Sequence, residues 1–170
     1  MSNESTLWKG SPSQWLNLGP FSLDLLIIIA IGIGGAFFLP ALALLALPLL
    51  HMLWCFLTVR TQVFELTSER LRVTKGVINQ TVDEIELYRV KDSLTVRTWW
   101  MRITGLASIE LETSDRSMPR IVIPAISGGD ELRETLRKQV EIMRDKKRVR
   151  EMDFDETKET EGVDAPDDLG

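Results

Sequence analysis

The chain has 170 residues, a formal net charge of −5 and a mean hydropathy of zero, values typical of a soluble protein. These averages hide three unlike parts. Residues 21–59 are apolar and almost uncharged, residues 60–150 carry 18 basic and 14 acidic side chains, and residues 151–170 carry nine acids against Lys158. The low pI therefore reflects the C-terminal segment, and the weak positive balance of the middle excludes a continuous basic footprint for nucleic acid.

Residues 1–20 are interpreted as an N-terminal arm ahead of the apolar block. They contain Lys9 as their only basic residue, and no short apolar core with a following A-x-A-like site precedes the block. We therefore expect no cleaved signal peptide. Trp8 and Trp15 are candidate lipid-surface anchors, because the amphipathic indole ring favours the headgroup level of a bilayer.

The apolar block is too long for one membrane crossing. At about 1.5 Å per residue it would form a helix of roughly 58 Å, nearly twice a hydrocarbon core of ~30 Å. Pro40 divides it into residues 21–39 and 41–59, each long enough to span. The short connection predicts an antiparallel pair of transmembrane helices with both chain ends on one side.

Charge selects that side. Lys9 precedes the first span, the tip of the pair is uncharged, and four basic residues follow the second span: Arg60, Arg70, Arg72 and Lys75. The positive-inside rule then places both termini in the cytoplasm.

Three polar residues in the block have alternative interpretations. Asp24 could be an intramembrane proton or ion ligand, or it could lie in the first helical turn at the interface. His51 and Cys55 share a helix face, a spacing compatible with metal binding, but two ligands without a third do not make a site. We therefore predict packing for His51 and Cys55, and no metal site.

From Gln62 onward the hydrophobic period changes to two, which indicates half-buried antiparallel strands. The cleanest case is residues 107–114, where Ser108 is expected to face away from the core with the two glutamates that follow it. Turn-forming residues such as Gly76 and Gly105 separate the strands. The apolar positions expected to face inward are Phe64, Leu66, Leu71, Val73, Ile85, Leu87, Leu94, Val96, Ala107, Ile109, Leu111, Ile121 and Ile123.

A helix is predicted after the last strand. Pro124 ends that strand, Ser127 or Asp130 can cap the helix, and Leu132, Leu136, Val140 and Met143 follow at helical spacing. The basic run 144–150 either continues this helix into solvent or lies against anionic headgroups. Residues 147–170 are predicted to form a basic and then acidic disordered tail.

Three stretches resemble one known family: FELTSERLRVTKGVI from Phe64, EIELYRVKD from Glu84 and RITGLASIELET from Arg102. Together with the two spans in front, they resemble bacterial pleckstrin-homology domain membrane proteins, over residues 20–140. The resemblance implies a mostly β, pleckstrin-homology-like barrel of about seven strands at residues 60–146, capped by the C-terminal helix. It also implies a loop or single helical turn at residues 99–104, and a bacterial inner membrane as the location.

Two surfaces of this domain are candidate sites. Arg70, Arg72 and Lys75 are a sparse version of the basic hairpin that binds phosphoinositides in related domains, and with Arg60 they are lipid-surface candidates; phosphoinositide binding itself is not carried over. Trp99 and Trp100 are adjacent, so an extended backbone would leave one of them exposed as a contact for a protein partner. Alternatively, both pack within an irregular turn.

No catalytic constellation, phosphate-binding loop or cofactor motif is found in the sequence. We therefore expect a non-catalytic inner-membrane protein without a cofactor. It would present its cytoplasmic domain to a protein partner or to a second copy of itself, in a setting such as envelope maintenance or stress. The alternatives are an anionic-lipid sensor, and an accessory subunit of a transport complex that uses Asp24 and His51.

Overall fold

The computed structural model describes the backbone of residues 4–161, and all their side chains except those of residues 36, 37, 41 and 149–161. This part of the chain contains seven strands: β1 (Thr6–Gly10), β2 (Val63–Thr67), β3 (Arg70–Lys75), β4 (Thr81–Glu86), β5 (Val90–Val96), β6 (Leu106–Thr113) and β7 (Arg120–Ser127). It also contains the helices α1 (Leu18–Phe37), α2 (Ala46–Arg60), α3 (Trp99–Thr104) and α4 (Gly129–Glu161). Short 3-10 segments cover Gln14–Asn17, Leu39–Leu45 and Leu87–Arg89.

Residues 18–60, hereafter the apolar hairpin, form two helices that turn back on each other at Pro40. The chain is extended at Phe38, between α1 and the 3-10 segment that contains Pro40. A Cβ atom on Gly35 would lie 2.3 Å from the Leu42 side chain, so a larger residue at this position would displace Leu42 where the two arms meet. By length and composition, the stretches Gln14–Gly35 and Leu42–Arg60 could each cross a membrane.

The bounds of the hairpin differ from those predicted. The first α-helix begins at Leu18 because Pro20 is tolerated in a first helical turn, whose N–H groups have no partner within the helix. The second begins only at Ala46, after a 3-10 segment that starts beside Pro40.

The N-terminal arm is part of the β domain, which corrects the prediction of a separate arm over residues 1–20. β1 pairs antiparallel with β2, so that Gly10 lies opposite Phe64 and Thr6 opposite Thr67. The first strand therefore precedes the apolar hairpin and the second follows it. A strand of five residues is too short to be recognised from the alternation of apolar residues. Its register is fixed only by its pairing with β2.

The strands form two antiparallel sheets, in the orders β1-β2-β3-β4 and β5-β6-β7. One core is built by both sheets together with the buried face of α4. Its members match most of the predicted inward positions: Phe64, Leu66, Leu71, Val73, Ile85, Leu87, Ile109, Leu111, Ile121, Ile123, Leu132, Leu136 and Val140. The seven strands and the packed C-terminal helix agree with the resemblance, although the pairing gives two sheets and does not show a closed barrel.

The predicted orientation is wrong for two strand residues, Leu94 and Ser108. Leu94 is 57% exposed because it pairs in register with Glu110, on the outer face of the sheet. Ser108 is buried, because α3 covers this end of β6: its hydroxyl accepts a hydrogen bond from the amide of Ala125 and lies 3.7 Å from the sulfur of Met101. A short helix over a strand end cannot be inferred from the alternation of the strand itself.

The domain has two distinct ends. At the proximal end, β1 runs into the hairpin and β2 leaves it; Val63 pairs with Thr74, so the β3–β4 turn lies here as well. At the distal end lie the β2–β3 and β6–β7 turns. α4 starts at the proximal end, where Gly129 contacts Ala107, and reaches the distal end, where Gln139 donates a hydrogen bond to the carbonyl of Ser68.

α4 continues to Glu161, which corrects the predicted disordered tail over residues 147–161. Residues 151–161 contain several strong helix formers, namely Glu151, Met152, Glu156 and Lys158, and no proline interrupts them. Residues 162–170, the rest of the predicted tail, lie outside the described residues.

Candidate functional site

The two N-terminal tryptophans have different surroundings. Trp8, in β1, is half-buried and packs against the main core. Trp15, in the 3-10 segment before α1, is 51% exposed and lies at the proximal end. Of the two lipid-surface candidates, only Trp15 presents a free indole ring where the hairpin begins.

The basic residues of β3 are paired with carboxylates. Glu84 lies 2.9 Å from both Arg70 and Arg72, and Glu4 lies 3.3 Å from Arg72. The hydrogen bond from Arg70 lowers the pKa of Glu84 below its usual value. These acids largely neutralise the sparse basic hairpin that the sequence suggested.

The basic lipid-surface candidates also differ in their distance from the proximal end of the domain. Arg70 pairs in register with Glu86 near the distal end, whereas Lys75 pairs with Thr81 at the proximal end. Arg60 is the last residue of α2 and is exposed. Arg60 and Lys75 are therefore the lipid-surface cations that lie where the hairpin meets the domain.

The adjacent tryptophans of α3 have different surroundings. Trp99 is 73% exposed, while Trp100 packs against a small cluster of Met101, Leu106 and Ala125. The residues form one short helix, as the resemblance implied, so the two rings diverge by helical rather than extended geometry. Of this pair, Trp99 offers the free contact surface, and a partner contact there stays a prediction.

The structure brings Asp24 and His51 together across the hairpin. Asp24 lies in the second turn of α1, not the first, and its side chain is 5% exposed. Its carboxylate oxygens lie 2.8 and 3.0 Å from Nδ1 of His51, and Nε2 of His51 lies 3.6 Å from the sulfur of Cys55. Within the described residues, no group of three potential metal ligands is found.

The same contact surface carries two further polar links. Nδ2 of Asn17 donates to the carbonyl of Cys55 at 3.2 Å, and Nε2 of Gln14 donates to the carbonyl of Phe56 at 3.3 Å. Such interhelical bonds fix the register of apolar helices that otherwise slide easily. These polar contacts thus lie between the two arms, in the domain-proximal half of the hairpin.

A groove of about 350 Å³ runs between the edge strand β5 and α4. It extends from the middle of the domain to the distal end, and Arg144 closes it by donating hydrogen bonds to the carbonyls of Val90 and Lys91. Four cations and two carboxylates line it: Lys91, Arg133, Arg137, Arg144, Asp92 and Glu141. Glu141 pairs with Arg137, which leaves the groove basic on balance.

Sequence reasoning missed this groove and the Asp24–His51 contact. The cations of α4 occur at a helical spacing that is typical of any solvated face, so nothing marked them in advance. Asp24 and His51 were each noticed, but their separation of 27 residues gives no pairing signal until the turn at Pro40 fixes the helix register.

Comparison with known proteins identifies the family. A family model described as a bacterial PH domain matches residues 20–140, well over half of the chain. No curated protein and no solved structure matches the chain. The match begins after β1, so the strand that precedes the hairpin lies outside it. The chain therefore belongs to the bacterial PH domain family.

Proposed function

We propose that this protein is a non-catalytic, membrane-anchored binding module, which holds a bacterial PH domain against the cytoplasmic face of a bacterial inner membrane and docks a protein partner on it. The single observation that carries the proposal is the chain path: β1 precedes the apolar hairpin and β2 follows it. Two connections, at residues 11–17 and 61–62, join the hairpin to one sheet.

This double connection restricts the orientation of the domain. A domain on one flexible linker would sample many orientations, whereas here the amide of Ser13 also donates to the carbonyl of Ala125 at 2.9 Å. The hairpin is thus fastened to β7 of the second sheet as well as to β1 and β2. Such a domain presents its distal end to the cytoplasm.

The groove between β5 and α4 is the surface best placed for a partner. It opens beside the edge strand β5, and an extended segment could lie along this strand beyond the carbonyls of Val90 and Lys91 that Arg144 occupies. Its basic lining favours an acidic segment over a basic one. A second copy of this chain is included among the possible partners.

Site-specific photocrosslinking in native membranes tests this proposal. We expect a crosslinker placed at Ser93, in the groove, to yield a discrete adduct. Reversing the charge of the groove with Arg133→Glu and Arg137→Glu should abolish that adduct. The exposed Arg116, in the distal β6–β7 turn, provides the matched control, and Arg116→Glu should leave the adduct unchanged. An adduct that survives the groove reversal, or no adduct at all, contradicts the proposal.

A transport role is a second candidate, favoured by the 2.8 Å contact between Asp24 and His51. Paired ionisable groups inside apolar helices are a common feature of ion and proton pathways. Asp24→Asn keeps the size of the side chain and removes its charge, so a transport complex containing this subunit should lose flux. Unchanged flux in membranes that carry this variant would exclude the transport role.

The lipid-sensor alternative has less support. Arg70 and Arg72 are paired with acids, and only Lys75 of the three lies at the proximal end. A fragment starting near Thr61 would also be an unsound test, because it lacks β1. Full-length protein with Arg70→Ala and Arg72→Ala should bind vesicles with and without phosphatidylglycerol as the parent protein does. A selective loss of the preference for phosphatidylglycerol would revive the sensor.

A further inference from the structure

Three large apolar side chains of the β domain are unusually exposed. Ile78 is 81% exposed, Ile103 is 78% exposed and Trp99 is 73% exposed, more than any other large apolar side chain described outside the hairpin. Single exposed apolar residues need no explanation. These three come from two separate segments of the chain, so their common location requires one.

Ile78 lies at the tip of the β3–β4 turn. Val63, three residues after the end of α2, pairs with Thr74, and Lys75 pairs with Thr81. The turn between Lys75 and Thr81 therefore projects at the proximal end, beside the end of α2. Gly76, with φ of 119°, makes this tight reversal possible, since a side chain there would collide with the carbonyl of Asn79.

Trp99 and Ile103 lie on the outer face of α3, four residues apart and hence on one side of the helix. The opposite side of α3 packs through Met101 onto a cluster that also receives Leu16, from the segment directly before α1. A single layer of packed side chains thus separates α3 from the segment that leads into the hairpin. Its outer face is free at the same proximal end as Ile78.

Cations flank both apolar groups. Lys75 precedes the β3–β4 turn, and Arg102 lies between Trp99 and Ile103; both are exposed, and neither forms an ion pair within the described residues. Exposed aromatic and aliphatic side chains flanked by free cations suit the boundary between acyl chains and anionic headgroups.

We propose that Ile78, Trp99 and Ile103 insert into the interface of the same bilayer that holds the hairpin, with Lys75 and Arg102 on anionic headgroups. The occupant of this surface is therefore lipid. This inference rests on the membrane anchoring of the proposed function. It reassigns Trp99 from partner contact to membrane contact and adds two residues that the sequence did not single out.

Fluorescence quenching by brominated lipids tests the inference on the full-length chain. The protein is reconstituted in vesicles of phosphatidylcholine and phosphatidylglycerol brominated at a shallow or a deep acyl position. Single-tryptophan proteins retain either Trp99 or Trp54, the latter 51% exposed in α2, with the other tryptophans replaced by Phe. A third protein carries all five replacements together with Ile142→Trp, at an exposed position near the distal end.

We expect Trp99 to lose fluorescence mainly to the shallow bromines, by an amount comparable to the loss of Trp54 to the deeper ones, and the probe at position 142 to lose none. If Trp54 is quenched and Trp99 is not, the inference is overturned and Trp99 is left to a protein partner. If Trp54 itself is not quenched, the membrane anchoring fails instead.

A second measurement does not depend on replacing tryptophans. A Cys55→Ser protein carrying Ile78→Cys is labelled with an environment-sensitive dye, and Ser117→Cys in the distal turn provides the control. The dye at position 78 should show a blue-shifted emission in vesicles relative to the dye at position 117. Equal emission at the two positions would overturn the insertion of the β3–β4 turn, whatever the folding of the tryptophan variants.

Discussion

The two ends of the β domain differ in what they expose. The distal turns are rich in charge pairs: Arg89 lies 2.9 Å from Asp115, and Lys146 lies 3.0 Å from Glu69. The proximal end exposes Ile78, Trp99 and Ile103. Charged side chains occur at both ends, as the Arg97–Asp130 pair at the start of α4 shows, but the three most exposed apolar side chains of the domain lie at the end from which the hairpin leaves.

The largest effect is expected from removing β1, which links the hairpin to the first sheet. Deleting residues 1–10 should abolish the folded domain, because β2 becomes an unpaired edge and Trp8 no longer covers the core. Limited proteolysis in detergent should then cleave throughout residues 61–148. Deletion of residues 162–170 is a control of similar size, since the described core is complete without them. Protease resistance of the protein without β1 would show that the first strand is dispensable.

The next largest effect is a difference in the free energy of unfolding between a substitution in the core and one on the proximal surface. Phe64→Ala, at a fully buried position, should lower the free energy of unfolding by about 3–5 kcal/mol. Ile78→Ser should change it by no more than about 0.5 kcal/mol, because a solvated turn residue has little packing to lose. Urea unfolding in neutral detergent measures both. A large loss for Ile78→Ser would mean that this side chain stabilises the fold and is not available to a membrane.

A smaller effect is expected at the Asp24–His51 contact in the hairpin. A double-mutant cycle of Asp24→Ala and His51→Ala should give a coupling free energy of about 0.6–1.7 kcal/mol, the range for interhelical polar pairs in membranes. Thermal unfolding of the detergent-solubilised protein supplies the four values. A coupling near zero would mean that the contact does not fix the register of the two helices.

The smallest effect is the loss of stability at acid pH that follows from the protonation of two hydrogen-bonded carboxylates. Hydrogen bonds from Arg70 and from Ser117 lower the pKa values of Glu84 and Asp115, respectively, in the folded state. Both groups therefore stabilise the fold above their usual pKa values of 4.5 and 3.8, and this stabilisation is lost as the pH falls below that range.

Urea midpoints measured between pH 6 and pH 3 test this dependence. Because both side chains reach solvent, we expect a shallow decline of the midpoint in the parent protein and a flatter one in Glu84→Gln/Asp115→Asn. An equal slope in the two proteins would contradict the assignment of these pairs.

Much of the fold could be predicted from the alternation of apolar residues. Phe64, Leu66, Leu71 and Val73 are inward positions in the sequence and core residues in the structure. The prediction of inward positions succeeds because a half-buried strand exposes alternate residues, whichever strand it pairs with. The prediction was wrong at Leu94 and Ser108, where burial depends on what covers the strand and not on the strand itself.

Sequence patterns predict the apolar block, its division at Pro40, the alternation of strands and turns, and the amphipathic start of α4. These features are local, because chain geometry and the period of burial require only neighbouring residues. Other features emerge only from the folded chain: the pairing of β1 with β2 across the hairpin, the contact of Asp24 with His51, and the location of Ile78 and Trp99 at one end of the domain. Each of these joins residues more than 20 positions apart, and such contacts become definite only when strand register and helix packing are fixed together.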